Sequence, residues 1–124
     1  MVVGQLIIAA LSGFIAVALG AFGAHGLKGR LDDTMLAAFQ TGVQYQFYHT
    51  FAVLAVVLVA AHFPAVTAYK WAGWLFIVGM VLFSGSLYVM ALSGVKIVGA
   101  ITPIGGLCLL VGWLLFAVAG FKSI

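Results

Sequence analysis

Four long apolar runs, at about 6–24, 43–61, 71–92 and 102–121, dominate this chain, and its five basic and two acidic residues all fall outside them. Each run is close to the ~20 residues that carry an α-helix across a bilayer's hydrocarbon core. The segments between them are short, which sets successive helices side by side and antiparallel. The pattern therefore predicts an all-α membrane protein, with four transmembrane helices in an antiparallel bundle and one domain over residues 1–124. The longest hydrophilic segment, Lys28 to Gln40, predicts a short interfacial helix in the first loop. Asp32 and Asp33 suit its N-cap and the positive end of its dipole. This helix either bends at Gly42 or runs straight into helix two.

Detail within the runs sharpens the picture. Helix one carries Ser12, Ala16, Gly20 and Ala24 at every fourth position, with Ala9 and Gly13 as a second small pair. Small residues at that spacing let two helix backbones approach closely. On a wheel of ~100° per residue, helix two places Thr41, Gln44, Tyr45, Tyr48, His49 and Ala52 on one side, expected to face the bundle. Val43, Phe47, Phe51, Leu54 and Leu58 lie opposite, as a lipid face, with Gln46 and Thr50 on a flank. Thr50 is expected to bond its own helix backbone. Tyr69-Lys70-Trp71 and Trp74 anchor helix three at an interface. Thr102-Pro103 reads as a capping hydroxyl followed by proline at the first helical position. Gly105 and Gly112 suit close packing. Trp113 falls near mid-span, where its indole N–H needs a partner, although plain helix packing is its more ordinary role.

Alternating helix direction brings the end of helix one, the start of two, the end of three and the start of four to one side. That half receives His25, Gln44, Tyr45, Tyr48, His49, Ser84, Ser86, Tyr88 and Thr102, and the other half has little beyond Ser12 and the Trp113 indole. Polar groups are costly in hydrocarbon, so this one-sided cluster is the candidate pocket. Loops one and three, on the same side, hold Lys28, Arg30 and Lys96, against Lys70 and Lys122 opposite. The positive-inside rule then puts loops one and three in the cytoplasm, by one charge.

Composition narrows the classes. Apolar residues make up 66% of the 124 and charged residues 6%, against about a quarter charged in soluble domains, so lipid must be the solvent for most of the surface. A formal charge of +3 spread over several loops is no nucleic-acid patch. The lone Cys108 rules out an intrachain disulfide or a CxxC pair. The N-terminal residues lack the basic stretch of a signal peptide, so the first run is read as a retained helix.

Catalytic and metal chemistry fare poorly. The three histidines lie at different depths and show no metal-ligand spacing, so no metal and no cofactor is expected. A His25/His49 haem pair is the one arrangement left conceivable. Ser84 or Ser86 with His49 lacks an intramembrane carboxylate to orient the imidazole, so the chain is not read as an enzyme. His49 remains the best single functional candidate, since an intramembrane histidine can relay a proton. The more ordinary role is a neutral imidazole satisfied by Tyr45 or by a helix-three hydroxyl.

Several stretches together resemble a family. They are Gly20-Ala21-Phe22-Gly23-Ala24-His25-Gly26-Leu27, Tyr45-Gln46-Phe47-Tyr48-His49, Phe83-Ser84-Gly85-Ser86-Leu87-Tyr88, and Thr102-Pro103-Ile104-Gly105-Gly106 with Gly112-Trp113. In this order they are similar to the YgdD/YwdK-like small membrane proteins, over nearly the whole chain. The resemblance implies an integral protein of a bacterial cytoplasmic membrane, and it hands over no catalytic residues.

Two functions follow as expectations. One is a binding or transport-accessory protein whose pocket takes a lipid headgroup or small solute. The other is a structural or assembly partner whose polar cluster satisfies itself. Membrane lipid is the expected partner in the first case, and a second copy or another membrane protein in the second.

Overall fold

The computed structural model describes residues 2–124. Among them are four long α-helices: α1 (Val3–His25), α2 (Asp33–Ala60), α3 (Ala68–Ser93) and α4 (Thr102–Lys122). A 3₁₀ turn (Lys96–Ala100) lies between α3 and α4. All four are long and apolar enough to cross a membrane, as the four apolar runs predict.

The interfacial helix is realised as a continuous extension of α2. Asp32 caps it, its Oδ1 accepting from the Met35 N–H at 2.7 Å. The helix then passes Gly42 without a break and reaches 28 residues. Gly42 sits inside the helix for packing: a Cβ there would meet the Tyr88 ring at 2.7 Å. The capping role read for Thr102 is corrected. Thr102 is the first helical residue, and its hydroxyl bonds Ser86 on α3 instead of capping its own helix.

Contacts between helix ends fix the up-and-down order. Gly23 meets Phe39, Gln5 reaches the Lys70 carbonyl, Ser86 meets Thr102, and Tyr69 meets Ser123. The bundle is open. α3 packs along both α2 and α4, α2 also packs on α1, and α1 touches α3 only lightly. α2 and α3 are thus the central pair, while α1 and α4 keep broad faces of large apolar residues outward, among them Phe14, Leu107 and Leu114.

Small residues make these seams. On α1 they are Ala9, Gly13, Ala16, Gly20 and Gly23, with Gly13 against Thr50, Gly20 against Val43 and Gly23 against Phe39. The every-fourth-residue stripe is corrected at its end, where Ala24 is exposed. Four residues turn a helix by ~400°, so such a row drifts ~40° per step and leaves the interface by its third. On α4, Gly105 lies so close to the Leu82–Phe83 backbone that no side chain fits, and Gly112 rests on the Phe76 ring. Phe76 is wholly buried, at the centre of a cluster with Val53, Val56, Met80 and Leu109.

Candidate functional site

The polar side chains are organised around Gln46, which the wheel placed on a flank. It is buried midway along α2. Its Oε1 accepts from the Tyr88 hydroxyl at 2.6 Å. Its Nε2 donates to the Ser12 carbonyl at 3.0 Å and to Ser12 Oγ at 3.2 Å. Ser12 Oγ and Thr50 Oγ1 are 2.8 Å apart, and Thr50 Oγ1 donates to the Met80 sulfur at 3.7 Å. The donors can run one way, from Tyr88 to Gln46 to Ser12 to Thr50 to Met80, so each proton has an acceptor. This chain ties α1, α2 and α3 together. Thr50 spends its hydroxyl between helices, which corrects its expected bond to its own backbone.

A second set links α2 to α4. The Trp113 indole N–H donates to His49 Nε2 at 3.0 Å, and His49 Nδ1 lies 2.8 Å from the Tyr45 carbonyl. An Nε2 that accepts carries no proton, and a carbonyl can only accept. His49 is therefore the neutral Nδ1–H tautomer, satisfied on both sides. Tyr45 helps through its backbone, not its phenol, and the second partner is Trp113 instead of a helix-three hydroxyl. This is the only hydrogen bond between α2 and α4 among the described residues.

Elsewhere the expected cluster divides. Ser86 donates to the Phe83 carbonyl and pairs with Thr102. Ser84 is buried with its Oγ unpartnered. His25 is exposed at the end of α1, with no side-chain hydrogen bond among the described residues, and Gln44 is exposed as well. Tyr45 is 37% exposed and Tyr48 50%. The inward face read for Gln44, Tyr45 and Tyr48 is thus corrected by about a quarter turn, and Val43, read as lipid-facing, is buried against α1. A central helix with two neighbours buries a wide arc, and here Phe39, Gly42, Val43, Gln46, Val53 and Val56 line it. The one-sided distribution is corrected too. The Ser12–Gln46 and His49–Trp113 pairs both lie near mid-helix, and Gln5–Lys70 and Tyr69–Ser123 add polar ties at the opposite end.

Because α2 and α4 are bridged but not packed, a groove of about 640 Å³ lies between them. Tyr45, Tyr48, His49 and Phe83 form one wall, with Pro103, Gly106, Leu107, Leu110 and Trp113 opposite. Neither phenolic hydroxyl has a hydrogen-bond partner among the described residues. The Tyr45 ring packs at a tilt against Phe83, with centroids 4.6 Å apart, and against Tyr48, at 5.6 Å. A second groove of about 360 Å³ runs between α1 and α3, nearly all apolar, past Ser12, Gln46, Ser84 and Tyr88.

Comparison with known proteins agrees with the architecture. A family profile described as "Protein of unknown function (DUF423)" matches residues 19–106. The chain belongs to this family. It is 43% identical to the UPF0382 membrane protein YwdK of Bacillus subtilis over 94% of this chain and 95% of the relative. It is 47% identical to a UPF0382 membrane protein of Haemophilus influenzae over 95% and 94%. No solved structure matches. Like these relatives, which are named membrane proteins, the chain is a membrane protein, with four helices long and apolar enough to cross a bilayer. The matched DUF423 span holds Gln46, His49 and Tyr88 but stops short of Ser12 and Trp113, their partners on the outer helices.

Sequence reasoning missed two residues. Gln5 is wholly buried, its Nε2 donating to the Lys70 carbonyl at 2.9 Å and its amide lying against Gly73. A glutamine in the first turn of an apolar helix, just ahead of the run at 6–24, was the available signal. Gln46 was visible but misplaced.

Proposed function

We propose that this protein binds an amphipathic small molecule or lipid from within the bilayer, in the groove between α2 and α4, as a binding or transport-accessory component. One observation carries the reading. Tyr45, Tyr48 and the His49–Trp113 pair line an open groove of about 640 Å³ whose other walls are apolar, within the usual 300–1,000 Å³ of small-molecule sites. Catalysis is not part of the proposal. Both His49 nitrogens are already bonded, and Ser86 is paired with Thr102.

The assembly reading is favoured less. The glycine stripes that would dock a foreign helix already serve the α1–α2 and α3–α4 seams. The Gln46 chain, by contrast, does the work of a self-satisfied scaffold, and it supports the groove without being the site. Residence in a cytoplasmic membrane belongs to the proposal through the likeness to bacterial membrane proteins, and the placing of loops one and three inside rests on Lys28, Arg30 and Lys96 against Lys70 and Lys122.

Native mass spectrometry of the protein released from detergent micelles tests the reading. A co-purifying amphiphile is expected, and Gly106→Leu, which fills the groove beside Phe83, is expected to lose it. A ligand mass retained unchanged in that variant would refute the site.

A further inference from the structure

The chemistry of the groove narrows the occupant, on the footing that the α2–α4 groove is the binding site. None of its lining residues is charged: two phenols, a phenyl, a neutral imidazole, an indole, and aliphatic or small side chains. The chain's lysines, arginine and aspartates all lie outside the apolar runs. An unpaired charge in hydrocarbon is expensive. A phosphate would find no cation here, and an ammonium no anion.

Depth points the same way. The groove extends along α4 from Pro103 to Trp113, about 15 Å at ~1.5 Å per residue, half of a ~30 Å hydrocarbon core. A charged headgroup stays at the surface, whereas an uncharged one can descend along such a slot. The aromatic wall supplies flat faces. Tyr45 lies 4.6 Å from Phe83 and nearly parallel to the His49 ring, at 20°, an arrangement that favours offset stacking with another ring. The free donors are the Tyr45 and Tyr48 hydroxyls, and donors call for oxygen acceptors.

We infer that the groove takes an uncharged amphiphile with a flat, carbonyl-bearing ring, a quinone-type head, whose isoprenoid or alkyl tail lies along Leu107 and Leu110. The ring rests on the Tyr45 wall, and its carbonyl oxygens accept from Tyr45 and Tyr48.

The test uses the full chain in phosphatidylcholine nanodiscs, with Trp71→Phe and Trp74→Phe leaving Trp113 as the sole tryptophan. Decylubiquinone is titrated while Trp113 fluorescence is followed. Saturable quenching is expected. It should weaken about tenfold when Tyr45→Phe and Tyr48→Phe remove two hydrogen bonds, and vanish in Gly106→Leu. The latter is expected to fold, since a Cβ there meets only the Phe83 ring at 3.7–3.8 Å, and circular dichroism checks it. Equal affinity in the double tyrosine variant overturns recognition of the carbonyls. A second probe, brominated phosphatidylcholine, separates the remaining failures. If it quenches Trp113 in a Gly106-dependent way while the quinone does not, the groove binds a phospholipid and the ring-head inference is overturned alone. If neither probe responds to Gly106→Leu, the groove reading falls with it.

Discussion

Replacing Gln46 by leucine removes the hub of the polar core without opening a large cavity. Two interhelical ties go with it, the amide's bonds to Ser12 on α1 and the Tyr88 bond from α3. Hydrogen bonds between helices in membranes contribute ~0.6 kcal/mol each on average and up to ~1.7. Ser12 keeps Thr50 as a partner, but the Tyr88 hydroxyl is left with none, and an unsatisfied buried hydroxyl costs ~1–3 kcal/mol. Gln46→Leu should therefore destabilise by about 2 kcal/mol, and Tyr88→Phe by about 1. The double variant should cost less than the two together, because the orphaned phenol is gone. Reversible unfolding in mixed micelles, titrated with SDS and followed by far-ultraviolet circular dichroism, gives the three free energies and hence the cycle. Coupling of ~0.6–1.7 kcal/mol is expected. Additivity to within ~0.3 kcal/mol would mean that no Gln46–Tyr88 bond exists in the membrane, and the one-way donor chain would fall with it.

Other outcomes follow from the same geometry. Gly105→Ala should cost ~1–3 kcal/mol or more through overpacking against the α3 backbone, whereas Gly85→Ala, with open space around the new methyl, should be neutral or stabilise by ~0.5–1 kcal/mol; similar losses at both would refute the seam. ¹⁵N NMR of histidine-labelled protein should find the His49 proton on Nδ1, and Trp113→Phe should shift the Nε2 resonance; an Nε2–H tautomer contradicts the Trp113 bond. Asp32→Ala should cost about 1 kcal/mol and fray the first turn of α2, seen as faster amide exchange at Met35; unchanged exchange there would mean the cap is idle.

Much of the fold was legible because lipid imposes a simple rule: backbone polar groups must be satisfied within each segment, so long apolar runs become helices. The four runs, the Asp32 cap and the glycine seam of α4 could all be read that way. The facing of α2 could not. Polarity marks the inward side only where a side chain is polar throughout; Tyr45 and Tyr48 are amphipathic and stand at the edge of a groove, while Gly42, Val43 and Val53 fill the interior. In lipid the interior is chosen by fit, and fit depends on which neighbour each helix meets. The partners of Gln46, His49 and Trp113 were hidden for the same reason, since Ser12 and Trp113 lie on helices whose relative rotation no single wheel can supply.

The openness of the bundle has a mechanical side. α4 is held along one edge, where Gly105, Leu109 and Gly112 lie against α3, and across the slot by a single latch, the Trp113–His49 bond. The seam on α3 is the line about which α4 would turn if it swung away from α2. Opening the slot this way breaks one hydrogen bond worth about 1 kcal/mol and draws the Trp113 ring off Phe76, 4.9 Å away, while the Gln46 chain, which involves no α4 residue, stays intact. On the proposed binding reading, a slot that widens this way would admit its guest sideways from the lipid, past the imidazole that fastens it.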